Sequence, residues 1–158
     1  MTPGETPQAP AVAGEVTDRL RELTVQLSLL NHQIAGLLGL QDVDLDCLDI
    51  ISREGPLTPG TLARQAGLHP ATTTGVLDRL ERAGRVRRER VPSDRRAVHV
   101  QAVPGRGDEE ILALYGPMIT RLGEICADFT DTELATVADF LRRATEAGRA
   151  TTAEVADR

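Results

Sequence analysis

The chain has 158 residues, of which 41% are hydrophobic and 27% charged, and its formal net charge is −6. This composition indicates a globular protein of one compact domain, or of one domain with helical extensions. No apolar run approaches the roughly 20 residues that cross a bilayer, and residues 1–14 lack the basic and apolar regions of a signal peptide. We therefore expect a cytoplasmic protein whose Pro- and Ala-rich residues 1–14 form a disordered tail.

Residues 15–39 carry a heptad pattern of apolar side chains. The spacings alternate between four and three residues, which is typical of one long helix with a single apolar seam. This first-helix seam comprises Val16, Leu20, Leu23, Leu27, Leu30, Ile34 and Leu37. The seam needs a partner, which is either a second chain or the predicted fifth helix of the same chain.

Three shorter helices follow. The second is predicted from apolar residues at helical spacing, namely Leu45, Leu48 and Ile51. In the third, Thr58 is a suitable N-cap and Gly67 a suitable end, and the fourth runs from Pro70 to Gly84. Two short helices joined by a Gly-containing turn predict a helix-turn-helix.

After the fourth helix the period changes to two. The segments RVRRERV and AVHVQAV, joined by PSDRR, predict a two-stranded wing with Val98, Val100 and Ala102 on one face. All 18 basic residues of the chain are Arg, and residues 79–106 hold nine of them against three acidic residues, a sum of +6. Such polarised charge suggests a face for an anionic polymer, and a solvated, salt-bridged face is the alternative.

Helical periodicity resumes at Gly107. Apolar residues from Ile111 to Phe129 predict a fifth helix, which Pro117 should kink, and Thr130 with Glu133 forms a capping box that opens a sixth. The predicted organisation is a tail at 1–14, a domain at 15–148 that contains a compact part at 42–104 between long helices at 15–39 and 107–148, and a second tail at 149–158.

This order of elements resembles the MarR family of winged-helix transcription regulators. The segment with the most specific resemblance is LTPGTLARQAGLHPATTTGVLDRLERAGRVRRERVPSDRRAVHV. The family pattern is a Leu-Ala helix, an Asp-Arg-Leu-Glu recognition helix, a Gly, a basic strand and an Asp-x-Arg wing tip. In this order, the segment holds Leu62 and Ala63, Asp78 to Glu81, Gly84, Arg87 and Arg88, and Asp94 with Arg96. Two positions depart from the family pattern, since Gly75 stands where Arg is frequent and His69 where a Ser N-cap is frequent. The resemblance implies a mainly α fold, with a two-stranded winged helix-turn-helix and terminal dimerisation helices.

The resemblance also implies sequence-specific DNA binding, for which a helical wheel divides the fourth helix. Thr73, Val76, Leu77 and Leu80 share the face that we expect to be buried. The side chains expected to meet DNA are Ala71, Thr72, Thr74, Gly75, Arg79 and Arg82. Thr and Ala methyl groups suit thymine methyls, and the Arg side chains are long enough to reach the DNA backbone. For Arg79, a salt bridge within the fold is the alternative.

The wing tip supplies the second predicted DNA contact. Arg95 and Arg96 lie at the turn, where they would enter a minor groove whose narrow A·T-rich stretches concentrate negative potential. The resemblance implies that Arg96 is inserted and that Asp94 holds it. An exposed pair of Arg side chains without a ligand is the alternative.

A homodimer is implied as well. In the family the terminal helices intertwine, and the dimer places two recognition helices about 34 Å apart over a palindromic site. The resemblance further implies a repressor, or less often an activator, that responds to a small molecule bound near the dimerisation helices. Polar groups near that location are Asn31, His32, Gln33 and Tyr115, for which helix-surface or core roles are the alternative.

Other classes of function find less support. The chain has no GxGxxG, Walker, HExxH or GxSxG motif, so we expect neither an enzyme nor a bound cofactor. His32, His69 and His99 share no helix face, which argues against metal sensing. Cys47 and Cys126 form no CxxC pair and are expected to be buried, unreactive thiols. The remaining rival is a winged helix that contacts only proteins and does not bind DNA.

Overall fold

The computed structural model describes residues 9–91 and 94–156, without the side chains of residues 9, 10, 91, 94–96 and 106–108. The described residues are mostly helical with one two-stranded antiparallel sheet, which confirms the predicted fold class. The elements are α1 (Ala9–Leu38), α2 (Asp42–Glu54), α3 (Pro59–Ala66), α4 (Pro70–Arg82), β1 (Val86–Val91), β2 (Asp94–Ala102), α5 (Arg106–Cys126) and α6 (Asp131–Ala156). The chain divides after Gln41 into two compact units.

In the first unit, α1 begins at Ala9 instead of the expected residue 15. Residues 9–14, expected in the tail, are therefore helical, because the segment is rich in Ala and a Pro is tolerated in the first turn of a helix. Most of the first-helix seam is exposed: Leu27 keeps 39% of its accessible surface, and Val16, Leu23 and Leu37 are also exposed. Ile34, near the end of the helix, is buried.

The core of the second unit lies between α2, α3, α4 and the wing. Its buried apolar residues include those predicted from helical spacing: Leu45, Leu48, Ile51, Leu62, Ala63, Val76, Leu77 and Leu80. Thr73 is buried too and donates its hydroxyl hydrogen bond to the His69 carbonyl at 3.2 Å, so its predicted core role is confirmed. The third helix has the predicted caps, since the Thr58 hydroxyl accepts from the Thr61 amide and Gly67 adopts φ +63°.

The wing is joined to the helix-turn-helix by its second strand. Arg88 of β1 lies opposite Val100 of β2, and the pairing is regular from Val86 to Arg90. On its other side, Val100 exchanges two backbone hydrogen bonds with Leu57, at 2.8 and 3.0 Å. Val100 is completely buried, whereas Val98 and Ala102 on the same predicted face are half-buried.

The last two helices leave most of their apolar side chains exposed. The capping box is confirmed, because the Thr130 amide donates to Glu133 Oε2 at 2.8 Å and the Glu133 amide donates to the Thr130 hydroxyl at 3.4 Å. Helix α6 then extends to Ala156 through most of the expected tail at 149–158, and none of its described residues is buried. The exposed apolar residues of this region include Leu112, Ile119, Leu122, Ile125, Phe129, Val137, Phe140 and Leu141.

The C-terminal half of α6 lies against the helix-turn-helix. Arg149 Nη2 donates to Glu54 Oε1 at 2.8 Å, and the other oxygen of Glu54 accepts from Gln65 of α3. A Cβ atom at Gly67 would lie 2.7 Å from Thr152 Cγ2, so a larger residue at position 67 would collide with α6. The end of α6 thus lies in direct contact with α3, through the contacts at Glu54 and Gly67.

Candidate nucleic-acid interface

Helix α4 presents a polar face of small side chains opposite its buried stripe. Ala71, Thr72, Thr74 and Arg82 are exposed, and Gly75 is half-buried. The Thr74 hydroxyl donates to the Pro70 carbonyl at 3.1 Å, which leaves its oxygen able to accept a further hydrogen bond. The structure therefore places on one accessible surface most of the recognition-helix residues predicted to meet DNA.

His69 caps α4 in place of the Ser that is frequent in the resembling family. Its Nδ1 accepts a hydrogen bond from the Ala71 amide at 3.3 Å, and Pro70 occupies the first helical position. A ring nitrogen thus takes the place of the usual hydroxyl oxygen as the acceptor of the cap. The departure at position 69 changes the chemistry of the cap without shifting the start of the helix.

Arg79 forms an ion pair inside the fold. Its Nε donates to both carboxylate oxygens of Asp44 at 3.1 and 3.0 Å, and its Nη2 donates to Oδ1 at 2.7 Å. The hydrogen bond with Asp44 raises the pKa of the Arg79 guanidinium. The salt bridge named as the alternative for Arg79 is therefore present, while the predicted DNA contact of the same side chain stays a prediction.

Arg88 joins the wing to the recognition helix. Its Nη2 donates to Asp78 at 2.7 Å and its Nη1 to Glu81 at 2.6 Å. The hydrogen bond with Asp78 is the main cause of a raised pKa of Arg88. By pairing with two carboxylates of α4, Arg88 offsets negative charge that would otherwise repel a phosphate backbone.

Two residues that were not predicted as part of this candidate site, Asp44 and Arg88, hold side chains of α4 by ion pairs. Asp44 is a completely buried carboxylate, and it shares the helix face of Leu48 and Ile51 at spacings of four and three. An acidic residue in register with a buried stripe was the available signal. Arg88 gave no comparable signal, because a basic strand residue is equally suited to facing DNA or a carboxylate.

The cations of the wing fall into two groups. Arg87 pairs with Glu89, whereas Arg90, like Arg82 at the end of α4, has no ion pair with any side chain that the structure describes. The backbone of Asp94, Arg95 and Arg96 belongs to β2, but their side chains lie outside the described residues. The predicted insertion of Arg96 into a minor groove, with Asp94 holding it, stays a prediction.

The polar residues predicted to lie near a small-molecule site differ in their exposure. Asn31 of α1 and Tyr115 of α5 are half-buried, and His32 and Gln33 are exposed; burial, followed by the charges of Asp46 and Asp49, raises the pKa of Tyr115. Their role towards a small molecule stays a prediction.

No cluster of three metal-ligating side chains occurs in the part of the chain that the structure describes, and no helix in that part could span a membrane.

The two cysteines differ from each other. Cys47 is completely buried, as expected, and burial raises the pKa of its thiol to about 12. Cys126 is exposed, so the expectation of burial was wrong for this residue. The reason is local, because Cys126 ends α5, a helix whose last turns pack few of their side chains against the rest of the second unit.

Comparisons with known proteins match this geometry. A sequence model of the MarR family matches residues 40–98. The chain is 33% identical to the HTH-type transcriptional regulator YcgE of Bacillus subtilis, over 80% of this chain and 81% of that protein. The crystal structure of MarR is similar with a TM-score of 0.57 and 27% identity, over 84% of this chain and 96% of that one. Streptococcus pneumoniae FabT, solved in complex with DNA, has the same fold, with a TM-score of 0.60 and 20% identity over 85% and 95% of the two chains. The chain belongs to the MarR family of winged helix-turn-helix transcriptional regulators.

Proposed function

We propose that this protein is a ligand-responsive repressor that binds a palindromic DNA site as a homodimer. The observation that carries the proposal is the accessible face of α4, where Ala71, Thr72, Thr74 and Arg82 lie exposed. Small side chains permit close approach to the major groove, and Thr and Arg offer donors and acceptors for bases and phosphates. FabT, which has the same fold, was solved in complex with DNA, and this supports DNA binding as the function.

The positive charge of the wing supports a second contact in an adjacent minor groove. Residues 79–106 carry a formal charge of +6 in a chain of −6, although Arg79 and Arg88 are paired with carboxylates of the fold. Arg85 and Arg87 also form ion pairs, with Glu110 and Glu89. The other cations proposed to contact DNA are Arg82, Arg90 and, at the wing tip, Arg95 and Arg96. The wing-tip residues are the ones that we expect to enter the groove.

The dimer is proposed from the exposed apolar surface of the long helices. Seam residues Leu23 and Leu27 on α1, and Leu122, Phe140 and Leu141 on α5 and α6, are each about two-fifths exposed or more in one chain. Exposed apolar surface of this kind on each of these helices is typical of an interaction site. A second copy that covers it would set the spacing of the two α4 helices on DNA. Response to a small molecule, with Asn31, His32, Gln33 and Tyr115 as candidate contacts, belongs to the same proposal.

Replacing Arg95 and Arg96 with Ala tests the DNA-binding part. The probe is a labelled duplex that the wild-type protein selects from a random-sequence pool, and fluorescence anisotropy gives the affinity at several salt concentrations. Loss of the two cations from each of the two subunits should make the slope of log K against log salt shallower by about 2 to 4 units. The melting temperature should hardly change, because a wing-tip turn contributes little to the core.

The matched control replaces Arg142 and Arg143, an adjacent exposed pair on α6, with Ala. This control makes the same change in net charge away from the proposed interface, so its slope should stay that of the wild type. Equal slopes for all three proteins would show that the wing arginines are a solvated face. If the wild type selects no duplex and shows no salt-dependent binding, the rival function, protein contacts only, replaces the proposal.

A further inference from the structure

A buried carboxylate joins the second helix to the recognition helix. Asp44 has 0% of its surface accessible, and a charge in that position is stable only when it is paired and hydrogen-bonded. The pairing comes from Arg79 of α4, whose Nε and Nη2 edge meets both oxygens of Asp44 at 2.7 to 3.1 Å. The ion pair therefore fixes the direction of one side chain of the proposed DNA-binding helix.

Gly75 leaves the room that this arrangement needs. Side chains on a helix lean towards its N-terminus, and the Arg79 side chain reaches the surface above Gly75, one turn earlier. A Cβ atom at position 75 would lie 3.6 Å from Arg79 Nη1. An Ala would fit at this distance, whereas any longer side chain would compete with the guanidinium for the same surface.

The outer edge of the guanidinium stays available. Asp44 occupies the Nε and Nη2 edge, while Nη1 has no hydrogen-bond partner among the residues that the structure describes. The Arg79 side chain keeps 34% of its surface accessible. Nη1 thus lies beside Gly75, on the face of α4 that also carries Ala71 and Arg82.

We propose that Asp44 is a positioning residue for DNA binding, which holds the Arg79 guanidinium flat over Gly75 so that Nη1 donates to a DNA phosphate. The inference rests on the proposed function and deepens it. It also gives a physical role to the departure at position 75: Gly75 permits a cation held from position 79 to lie where family members often carry an Arg. Asp44 itself does not touch DNA.

For Asp44→Asn, the expected change in DNA affinity is opposite to the change predicted from charge alone. Removing a negative charge near the DNA-binding surface should strengthen binding if only the net charge matters. If Asp44 holds Arg79, Asp44→Asn should instead weaken binding, because the freed Arg79 side chain would keep Nη1 at the phosphate only part of the time in each of the two subunits. We expect a loss of about 10-fold, which corresponds to ordering one rotamer-rich side chain per subunit.

The experiment is an anisotropy titration of full-length Asp44→Asn against the duplex selected by the wild type, at several salt concentrations. The salt slope should become shallower by up to about 2 units, one for the Arg79 contact of each subunit. A structural defect alone would lower the fraction of active protein without changing this slope. Asp49→Asn is the matched control, because Asp49 is also on α2 and accepts two hydrogen bonds from Arg53 Nε, at 2.9 and 2.8 Å, but is exposed and has no partner on α4 among the described residues. The control should bind as tightly as the wild type or slightly more tightly.

A second variant covers the case in which Asp44→Asn does not fold. Arg79→Lys keeps both charges, but an ammonium group cannot hold Asp44 with one edge and offer another edge to DNA. It should show the same weaker binding and shallower slope at unchanged net charge.

Wild-type affinity and slope in a folded Asp44→Asn, or in Arg79→Lys, would overturn the positioning role while leaving DNA binding intact. Failure of the wild type to select any duplex would instead overturn the proposed function, and the inference with it.

Discussion

Periodic apolar side chains occur both in the winged helix and in the long helices, but they are buried in the first region and exposed in the second. In the winged helix, Leu62, Leu80 and Val100 have no accessible surface. In the long helices, Leu27, Leu122 and Phe140 keep between 39% and 44%. Helical periodicity predicts an apolar face in both regions, but the face becomes core only where the chain itself returns to cover it. The difference separates the apolar faces that this chain covers itself from those that it leaves exposed, where we propose that a second copy binds.

The largest expected effect comes from charging the first-helix seam. Replacing both Leu27 and Leu30 with Glu would place like charges opposite one another in a two-fold interface, so the dimer and DNA binding should both be lost. Sedimentation would measure the dimer and anisotropy the DNA binding. Val25→Glu with Leu29→Glu is the control, because these exposed residues give the same change in charge on the same helix but lie off the seam. A wild type that is monomeric at micromolar concentration would contradict the prediction.

Truncation of a buried side chain in the winged helix should affect the stability of the single chain instead of the dimer. Leu80→Ala removes a completely buried side chain and should lower the free energy of unfolding by about 2–5 kcal/mol. Leu141→Ala, on the exposed face of α6, should cost less and should weaken the dimer instead. Denaturant unfolding and sedimentation of both variants give the comparison. If Leu141→Ala is as destabilising as Leu80→Ala and leaves the dimer unchanged, then α6 belongs to the core of a single chain.

Much of the fold could be predicted from the sequence, because its signals are local. Thr58, Gly67 and Glu133 specify helix ends through hydrogen bonds to residues close in sequence, and period-two alternation specified the wing. The boundaries of α1 and α6 could not be placed in the same way. At the start of α1 and at the end of α6, helical residues continue beyond the last clear apolar repeat. Only helix propensity then determines where each helix begins or ends.

The candidate site was predictable as a face but not as a set of pairings. The wheel correctly separated Thr73 from Thr72 and Thr74, since the buried stripe fixes the rotation of α4. The partner of Arg79 could not be read from the sequence, because Asp44 is 35 residues away and the contact depends on how α2 crosses α4. For the same reason, the sequence could not show that the Arg79 guanidinium lies beside Gly75.

The two thiols provide a smaller and chemically direct comparison of the regions. Cys47 is buried with a pKa of about 12, so at pH 8 only about one thiol in 10⁴ would be the reactive thiolate even if a reagent reached it. Cys126 is exposed in the single chain. Under native conditions, a maleimide should therefore label Cys47→Ala at its remaining Cys126, and should label Cys126→Ala only after denaturation. Rapid native labelling of Cys47 would show that the winged-helix core opens readily. Protection of Cys126 that increases with protein concentration would place the end of α5 in the dimer.

The smallest expected effect concerns the first turn of α6, where no described residue is buried and Thr130 and Glu133 form the capping box. The hydrogen bonds from Thr130 lower the pKa of Glu133. A carboxyl group whose pKa is lower in the folded state stabilises the protein above its unfolded-state pKa, and this contribution is lost as the pH falls through the folded-state pKa. Glu133→Gln keeps a side-chain acceptor but removes the charge, so it should melt slightly below the wild type at neutral pH, with the gap closing below pH about 4. Glu154→Gln is the matched control at the other end of α6, where a negative charge opposes the helix dipole; it should leave the melting temperature unchanged or raise it slightly. A Glu133→Gln gap that stays constant from neutral to acid pH would show that the cap stabilises α6 by hydrogen-bond geometry, without a contribution from the carboxylate charge.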